Sequence, residues 1–404
     1  MTKELLIEKI KGLAEKHFEK NVKIRRTIHS YPELSFNEYK TTAFIISELE
    51  ASGIKYVTRS PKTGLVAIIE GKDPEFNCIA MKADIDALPI TENNELSYKS
   101  TIPGVMHACG HDFNTTSLLG TAKILHELRD EIKGTIKLIF QPGEEKLPGG
   151  AKDMIEEGVL KDPPVSVVVA QHGLPELEYG KIGFKAGPYM ASTDEIYLTI
   201  KGKGGHGAMP ANFIDSILIS SHIIIALQQI VSRYATPTVP TVLSFGKIIG
   251  NGTTNVIPDE VKIEGTFRTM NEDWRKTAHE KIEKLSTEIA ASMGAICEVR
   301  IVKGYPALLN NPELTKTVKE ISCEYVEKDN VIDLDTRMTS DDFSYFSQEL
   351  PSVYFRIGVS NKEKNIVSNL HSATFNIDED AIKLSTGLLS WIAISLVKGD
   401  RISI

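Results

Sequence analysis

The chain has 404 residues, 41% of them hydrophobic and 25% charged, with a formal net charge of −8. This is ordinary globular composition with room for two domains, and the acidic balance argues against a nucleic-acid partner, which would want a basic face. The N-terminal MTKELLIEKIKGLAEKHFEK has no signal-type apolar core, and apolar runs such as Ile217 to Ile225 are broken by Ser and His, so the expectation is a soluble, cytoplasmic protein with no membrane span.

Helical pattern fills Lys3 to His29. Strands are expected at Leu65–Ile69 and Cys78–Met81, a helix at Thr115–Leu128, a strand at Ile136–Phe140, a helix at Ala151–Glu157 and a strand at Val165–Ala170. Continuous apolar strands separated by helices predict an α/β fold, a mostly parallel sheet with helices on both faces. Near Gly187 the pattern changes. Ile196, Leu198 and Ile200 alternate with polar neighbours, as do Ile263 and Phe267, which suits antiparallel strands with one wet face. Two long helices, about Asn212–Ser232 and Trp274–Ser292, share this stretch. After Lys303 the earlier style returns, with a helix at Pro312–Tyr325, a strand at Val353–Ile357 and a helix at Glu379–Val397. The expected organisation is a discontinuous α/β domain, 1–186 and 303–404, interrupted by an inserted α+β domain, 187–302.

Polar residues cluster where the apolar strands stop. CIAM runs into Asp84-Ile85-Asp86, IKLIF into Gln141-Pro142-Gly143-Glu144-Glu145, and VVVA into Gln171-His172. Open α/β sheets place ligands beyond the carboxyl ends of their strands. Cys109 and His111 are two apart and cannot share a helix face, but around Gly110 they can converge on one ion. Taken alone they read equally well as a plain thiol and a satisfied loop histidine; Glu145 and His172 at neighbouring strand ends favour metal. The adjacent Glu144 and Glu145 point different ways, so one can bind metal while the other acts as a general base. His371, alone in Leu370-His371-Ser372, reads as structural. The remaining cysteines, Cys78, Cys297 and Cys323, form no C-x-x-C pair and no disulfide framework. Gly202 to Gly207 formally matches G-x-G-x-x-G, but no acid lies between Asp215 and Asp259 to bind a ribose. A G-x-S-x-G elbow and a helical zinc-protease motif are both absent.

These residues together resemble the zinc aminoacylase and carboxypeptidase family, in its amidohydrolase branch of hippurate hydrolases, N-acyl-L-amino acid amidohydrolases and plant auxin-conjugate hydrolases. The matching stretches include IRRTIHSYPELSFNEYKT (24–41), MKADIDALPI (81–90), GVMHACGHD (104–112), IFQPGEE (139–145), KGKGGHGAMP (201–210), NVIPDEVKIEGTFRT (255–269), DDFSYF (341–346) and LHS (370–372). The resemblance implies that Cys109, His111, Glu145, His172 and His371 bind one or two divalent ions. It makes Glu144 the general base and Asp86 the residue that orients a ligand. The inserted domain would be a lid that also mediates dimerisation, so a homodimer or dimer-based oligomer is expected. His206 would stabilise the oxyanion, and Asn255 and Arg268 would hold the substrate carboxylate; by pattern alone Arg268 reads as a solvated strand residue. Thiolate and imidazole donors favour zinc, with manganese, cobalt or nickel able to support turnover.

The implied reaction is hydrolysis of the amide bond of a small N-acyl amino acid. A carboxypeptidase or dipeptidase acting on short peptides is the nearest alternative, and a non-catalytic binder the other. The chain departs from the family pattern at Asp84, where two-metal relatives carry a ligand histidine, at Lys146-Leu147-Pro148 and at Thr339-Ser340-Asp341.

Overall fold

Runs of alternately facing apolar residues, buried on both sides, build the main sheet. The computed structural model describes residues 2–58 and 63–399. The chain divides into two compact units, one made of Met1–Gly187, Leu309–Asp335 and Tyr345–Ile404, the other of Pro188–Leu308 and Thr336–Ser344.

The first unit carries eight strands in one sheet: β1 (Lys55–Thr58), β2 (Leu65–Glu70), β3 (Cys78–Asp84), β4 (Thr135–Gln141), β5 (Val167–Glu178), β6 (Ile182–Phe184), β7 (Val331–Asp333) and β8 (Ser352–Ser360), in the order β1-β2-β4-β3-β5-β8-β6-β7. The central β4–β3, β3–β5 and β5–β8 pairs and the β6–β7 pair are parallel; β1–β2, β2–β4 and β8–β6 are antiparallel. The protein is therefore a mixed α/β structure with a mostly parallel central sheet. Every residue of β3 and β4 is buried. Ile136, Leu138 and Phe140 join the apolar cluster formed with the helices Lys3–Ser30, His111–Glu127 and Asp380–Lys398, which pack on one another. A buried side chain of this size contributes roughly 1.5–3 kcal/mol. On the opposite face, the buried Lys137 ammonium donates to the carbonyls of Val159, Lys161 and Pro163 at 3.0, 3.2 and 2.8 Å, pinning the segment that covers that side.

Three readings of the sequence need correction. β5 does not stop at Ala170 but runs through Gln171 and His172 to Glu178, because its pairing with β8 continues past His172. The helix expected from Thr115 starts at His111, since its first turn is polar and hides the apolar period. Two helical stretches, Ser216–Tyr234 and Asp380–Lys398, are long and apolar enough by length and composition to cross a membrane, although no run of that length was expected; Ser and His interrupt the first without breaking the helix. Of the most apolar stretch of the second, 78% is buried, which is the behaviour of a core helix. The helix Tyr39–Glu50 was not anticipated.

In the second unit four strands pair antiparallel in the order Thr241–Ile249, Glu260–Thr269, Asp194–Lys201, Ile296–Lys303. Ile196, Leu198, Ile200, Val261 and Phe267 pack against helices Ser216–Gln229 and Glu272–Ser292. Asp194 at the strand start is buried and accepts from Arg275 Nε and Nη2 at 2.9 and 2.6 Å, with His279 Nε2 at 2.7 Å.

A buried ionic cluster ties the N-terminal helix of the first unit to the start of helix His111–Glu127. Arg25 Nε donates to Asp112 Oδ2 at 2.7 Å, His29 Nδ1 lies 2.8 Å from the same oxygen, and His29 Nε2 lies 3.2 Å from Glu92 Oε1. Burial alone would raise the Asp112 carboxyl, but Arg25 and His29 hold it far below the usual carboxylate range. With a depressed folded pKa, its contribution is present above the unfolded carboxylate value near 4 and lost as pH falls below it. Arg25→Met leaves a buried carboxylate without its strongest partner, so it is expected to cost about 3–5 kcal/mol, read from the urea midpoint at pH 7.

Candidate metal centre

Five potential ligands from distant parts of the first unit come together at the carboxyl side of the sheet. Gly110, at φ +86°, provides the left-handed corner that precedes the helix beginning at His111. Cys109 lies just before that corner and His111 just after it. His371 has a φ of +61° and its N–H bonds to the Ala108 carbonyl at 2.7 Å, which brings the C-terminal loop against the cysteine turn.

The imidazoles are oriented from behind. His172 Nδ1–H donates to the Gly173 carbonyl at 2.7 Å, leaving Nε2 facing Cys109 Sγ at 3.6 Å. His371 Nε2 lies 3.3 Å from the same sulfur and 3.3 Å from Glu145 Oε1. His111 Nδ1 is 3.0 Å from the Asp86 carbonyl and 3.1 Å from Asp86 Oδ1, and its Nε2 is 4.0 Å from Glu144 Oε2. Donor atoms of three groups, Cys109–His111–His172, Cys109–Glu145–His371 and His111–Glu144–Glu145, lie within 4.8 Å of one another.

This donor set fits a divalent ion. Sulfur at about 2.3 Å and nitrogen at about 2.0 Å from a tetrahedral zinc lie roughly 3.6 Å apart, the spacing of Cys109 Sγ and His172 Nε2. Thiolate, imidazole and carboxylate are the ligand types zinc takes.

Asp86 does not enter these groups but controls them. It is buried; besides His111 it accepts from Ser35 Oγ at 2.7 Å and from the Glu145 N–H at 2.9 Å. Burial alone would lower the His111 pKa, but the Asp86 carboxylate outweighs it and raises the ring to about 10. Asp84 is turned to other partners, Lys82 Nζ and Gln141 Nε2. Beneath the Glu144 turn lies Glu38, fully buried and pushed up to about 7, chiefly by its burial and then by the charge of Asp86.

The other expected site residues belong to the second unit. His206 is exposed and its Nδ1 accepts from the Ala208 N–H at 3.1 Å. It pairs with Val256 in a two-stranded ladder, which places Asn255 beside it; the Asn255 carbonyl accepts from Gly207 N–H at 2.9 Å. Arg268 is half-buried and donates to the Met338 carbonyl at 3.1 Å, so it is not the solvated residue its strand pattern suggested. Sequence reasoning gave no role to Ser35, Glu38 or Arg25. All three lie within the quoted stretch 24–41, and their signal was a run of polar residues with no period of their own.

A cation at His111 Nε2 must displace a proton from a ring whose pKa is raised, so affinity should rise with pH. Lowering pH from 8 to 6 is expected to weaken zinc binding at least about tenfold per unit, measured by competition with a fluorescent chelator. Cys109→Ala and His172→Ala should each abolish stoichiometric metal by elemental analysis.

Residues 80–393 match Peptidase family M20/M25/M40. An N-acyl-L-amino acid amidohydrolase of Geobacillus stearothermophilus is 44% identical over 306 residues, 76% of this chain and 82% of that protein. Thermostable carboxypeptidase 1 of Saccharolobus solfataricus is 38% identical over 382 residues, 94% of this chain and 96% of that protein. The crystal structure of the YXEP protein of Bacillus subtilis, a dinuclear metal binding peptidase from the M20 family, superposes with a TM-score of 0.81 at 32% identity, covering 95% of this chain and 99% of that one. With its fold, its clustered donors and these relatives in agreement, the chain belongs to peptidase family M20/M25/M40 and is a hydrolase of amide bonds.

Proposed function

We propose that this protein is a cytoplasmic metal-dependent amidohydrolase that releases amino acids from their N-acyl derivatives, with Glu144 as general base. The observation that carries the reading is the placement of Glu144: a buried carboxylate in the same donor group as His111 and Glu145. Its neighbour Glu145 faces His371, so one acid of the pair serves the ion and the other remains for proton transfer. When bound, the ion supplies Lewis acidity toward the amide carbonyl and toward water. Glu144 takes the proton from the attacking water and returns it to the leaving amine. His206 is assigned to the developing oxyanion and Asn255 and Arg268 to the substrate carboxylate. For Arg268, support comes from its place in the wall of a cavity of about 420 Å³ shared with Thr193, Tyr197 and Ser244. The amidohydrolase reading is supported by the N-acyl-L-amino acid amidohydrolase relative, and the carboxypeptidase relative makes short peptides the second reading.

The centre is assigned zinc, with manganese, cobalt or nickel as substitutes. Two ions are favoured because Cys109 Sγ belongs to two donor groups whose other members differ. All four cysteines are free, which suits a reducing compartment. A homodimer is assigned to the second unit. Its helix Ser216–Gln229 exposes Ile217, Leu218 and Ile225, the last 72% exposed, beside an outer strand that exposes Ile248. Such an apolar patch and open strand edge are what a second copy would cover.

Glu144→Gln is expected to retain metal and lose at least about 100-fold in kcat on N-acetyl amino acids; undiminished turnover sinks its assignment. Assayed with zinc, manganese and cobalt in turn, the wild type should hydrolyse N-acetyl and N-benzoyl amino acids faster than dipeptides, and the opposite order would transfer the protein to the peptidase reading. In sedimentation velocity the wild type should run as a dimer and Ile225→Glu as a monomer.

A further inference from the structure

A fully buried glutamate lies directly under the turn that carries Glu144. Glu38 is 0% exposed. It precedes the helix Tyr39–Glu50, yet its side chain makes no capping bond to that helix. Among the described residues no cation pairs with it, and Oε2 makes no close hydrogen bond, the Thr63 hydroxyl only approaching the carboxyl. Burying a carboxylate this way opposes folding, and an apolar side chain of similar volume would cost less. The acid's one well-used atom is Oε1, which accepts from the Phe36 N–H at 2.9 Å and the Gly143 N–H at 2.9 Å.

We infer that Glu38 is a positioning residue for hydrolysis: by gripping the Gly143 N–H it fixes the Pro142-Gly143-Glu144 turn and thereby aims the Glu144 carboxylate. The inference rests on the reading of Glu144 as general base.

The surroundings of Glu38 make the grip specific. Gly143 has φ +67°, and a Cβ there would lie 2.5 Å from the ring of Phe36. The turn is therefore held on one side by an aromatic ring pressed on its Cα and on the other by a hydrogen bond to its N–H. Phe36 itself sits at φ +65°, a conformation unfavourable for a bulky residue, and the same Glu38 oxygen holds its N–H. One residue earlier, Ser35 Oγ donates to Asp86 Oδ2 at 2.7 Å, the oxygen that also accepts the Glu145 N–H at 2.9 Å. The segment 35–38 thus contacts both sides of the Glu144–Glu145 pair: through Asp86 it sets the acid facing His371, and through Glu38 it sets the base. A carboxylate displaced by about 1 Å can cost on the order of 100-fold in rate, so a hydrogen bond to the residue before the base is enough to matter.

The test compares Glu38→Gln, Glu38→Asp and Glu38→Ala with wild type and Glu144→Gln, all zinc-reconstituted, measuring kcat per bound metal, KM on an N-acetyl amino acid and metal content. Glu38→Gln keeps an acceptor oxygen for both N–H groups and should stay within about threefold of wild-type kcat. Glu38→Ala and Glu38→Asp, which remove or retract that oxygen, should lose about 100-fold in kcat per metal ion with KM within about threefold and full metal content. If Glu38→Ala does not fold, the aspartate variant decides. Wild-type kcat per metal ion in the aspartate and alanine variants would overturn the inference, as would a glutamine variant as impaired as alanine, or activity lost only in step with metal or folded protein. Full activity in Glu144→Gln would instead remove the reading beneath it.

Discussion

The Asp86 carboxylate is the joint on which the centre depends. Its two oxygens hold a histidine ring, a backbone amide and a hydroxyl from three segments: His111 at 3.1 Å, the Glu145 N–H at 2.9 Å and Ser35 Oγ at 2.7 Å. A buried carboxylate is tolerated only when its lone pairs are used, and here each use orients something the centre needs. With Nδ1 committed to Asp86, His111 presents Nε2 to the cluster. With its N–H committed to Asp86, Glu145 leaves the sheet in one direction. Such partners behind ligands set ring orientation and basicity together.

A second buried cluster begins at the residue after His111. Asp112 follows it in the chain and is held by Arg25 and His29 from the N-terminal helix. The turn that carries His111 is therefore fixed through Asp86 and, one residue on, through Asp112, by different parts of the fold. Asp112 also lies in the first turn of its helix, where a negative charge is favoured by the helix dipole. The long N-terminal helix thus does more than cover the sheet: its polar face anchors the turn that carries Cys109 and His111.

Much of this was legible in the sequence. The strands that supply Asp86, Glu144 and His172 were visible because burial on both faces demands unbroken apolar runs such as IAM and LIF, and the switch to alternation at Ile196 marked a sheet with one covered face. The ligand-type residues stood out against those runs. Hydrophobic pattern could not show that β5 continues through His172, because a strand's end is decided by its pairing with β8. Nor could it show His371 beside Cys109: that approach depends on a backbone hydrogen bond to Ala108 and a left-handed φ, neither of which leaves a periodic trace. Glu38 and Arg25 were hidden for a related reason. A buried charge on a helix or loop looks like a surface charge until its partner 87 or 105 positions away is known.

The departure at Asp84 has a physical consequence for where the donors come from. Where a histidine would offer a neutral nitrogen to the centre, Asp84 is drawn to Lys82 and Gln141 on neighbouring positions of β3 and β4. Its charge also acts on the His111 ring, but it is not a member of any of the donor groups. Cys109 Sγ stands in two donor groups, with His111 and His172 in one and with Glu145 and His371 in the other. The donors that gather here therefore come from the turn before helix His111–Glu127, the Glu144–Glu145 turn, β5 and the C-terminal loop, and not from β3, whose acid is held by its own sheet.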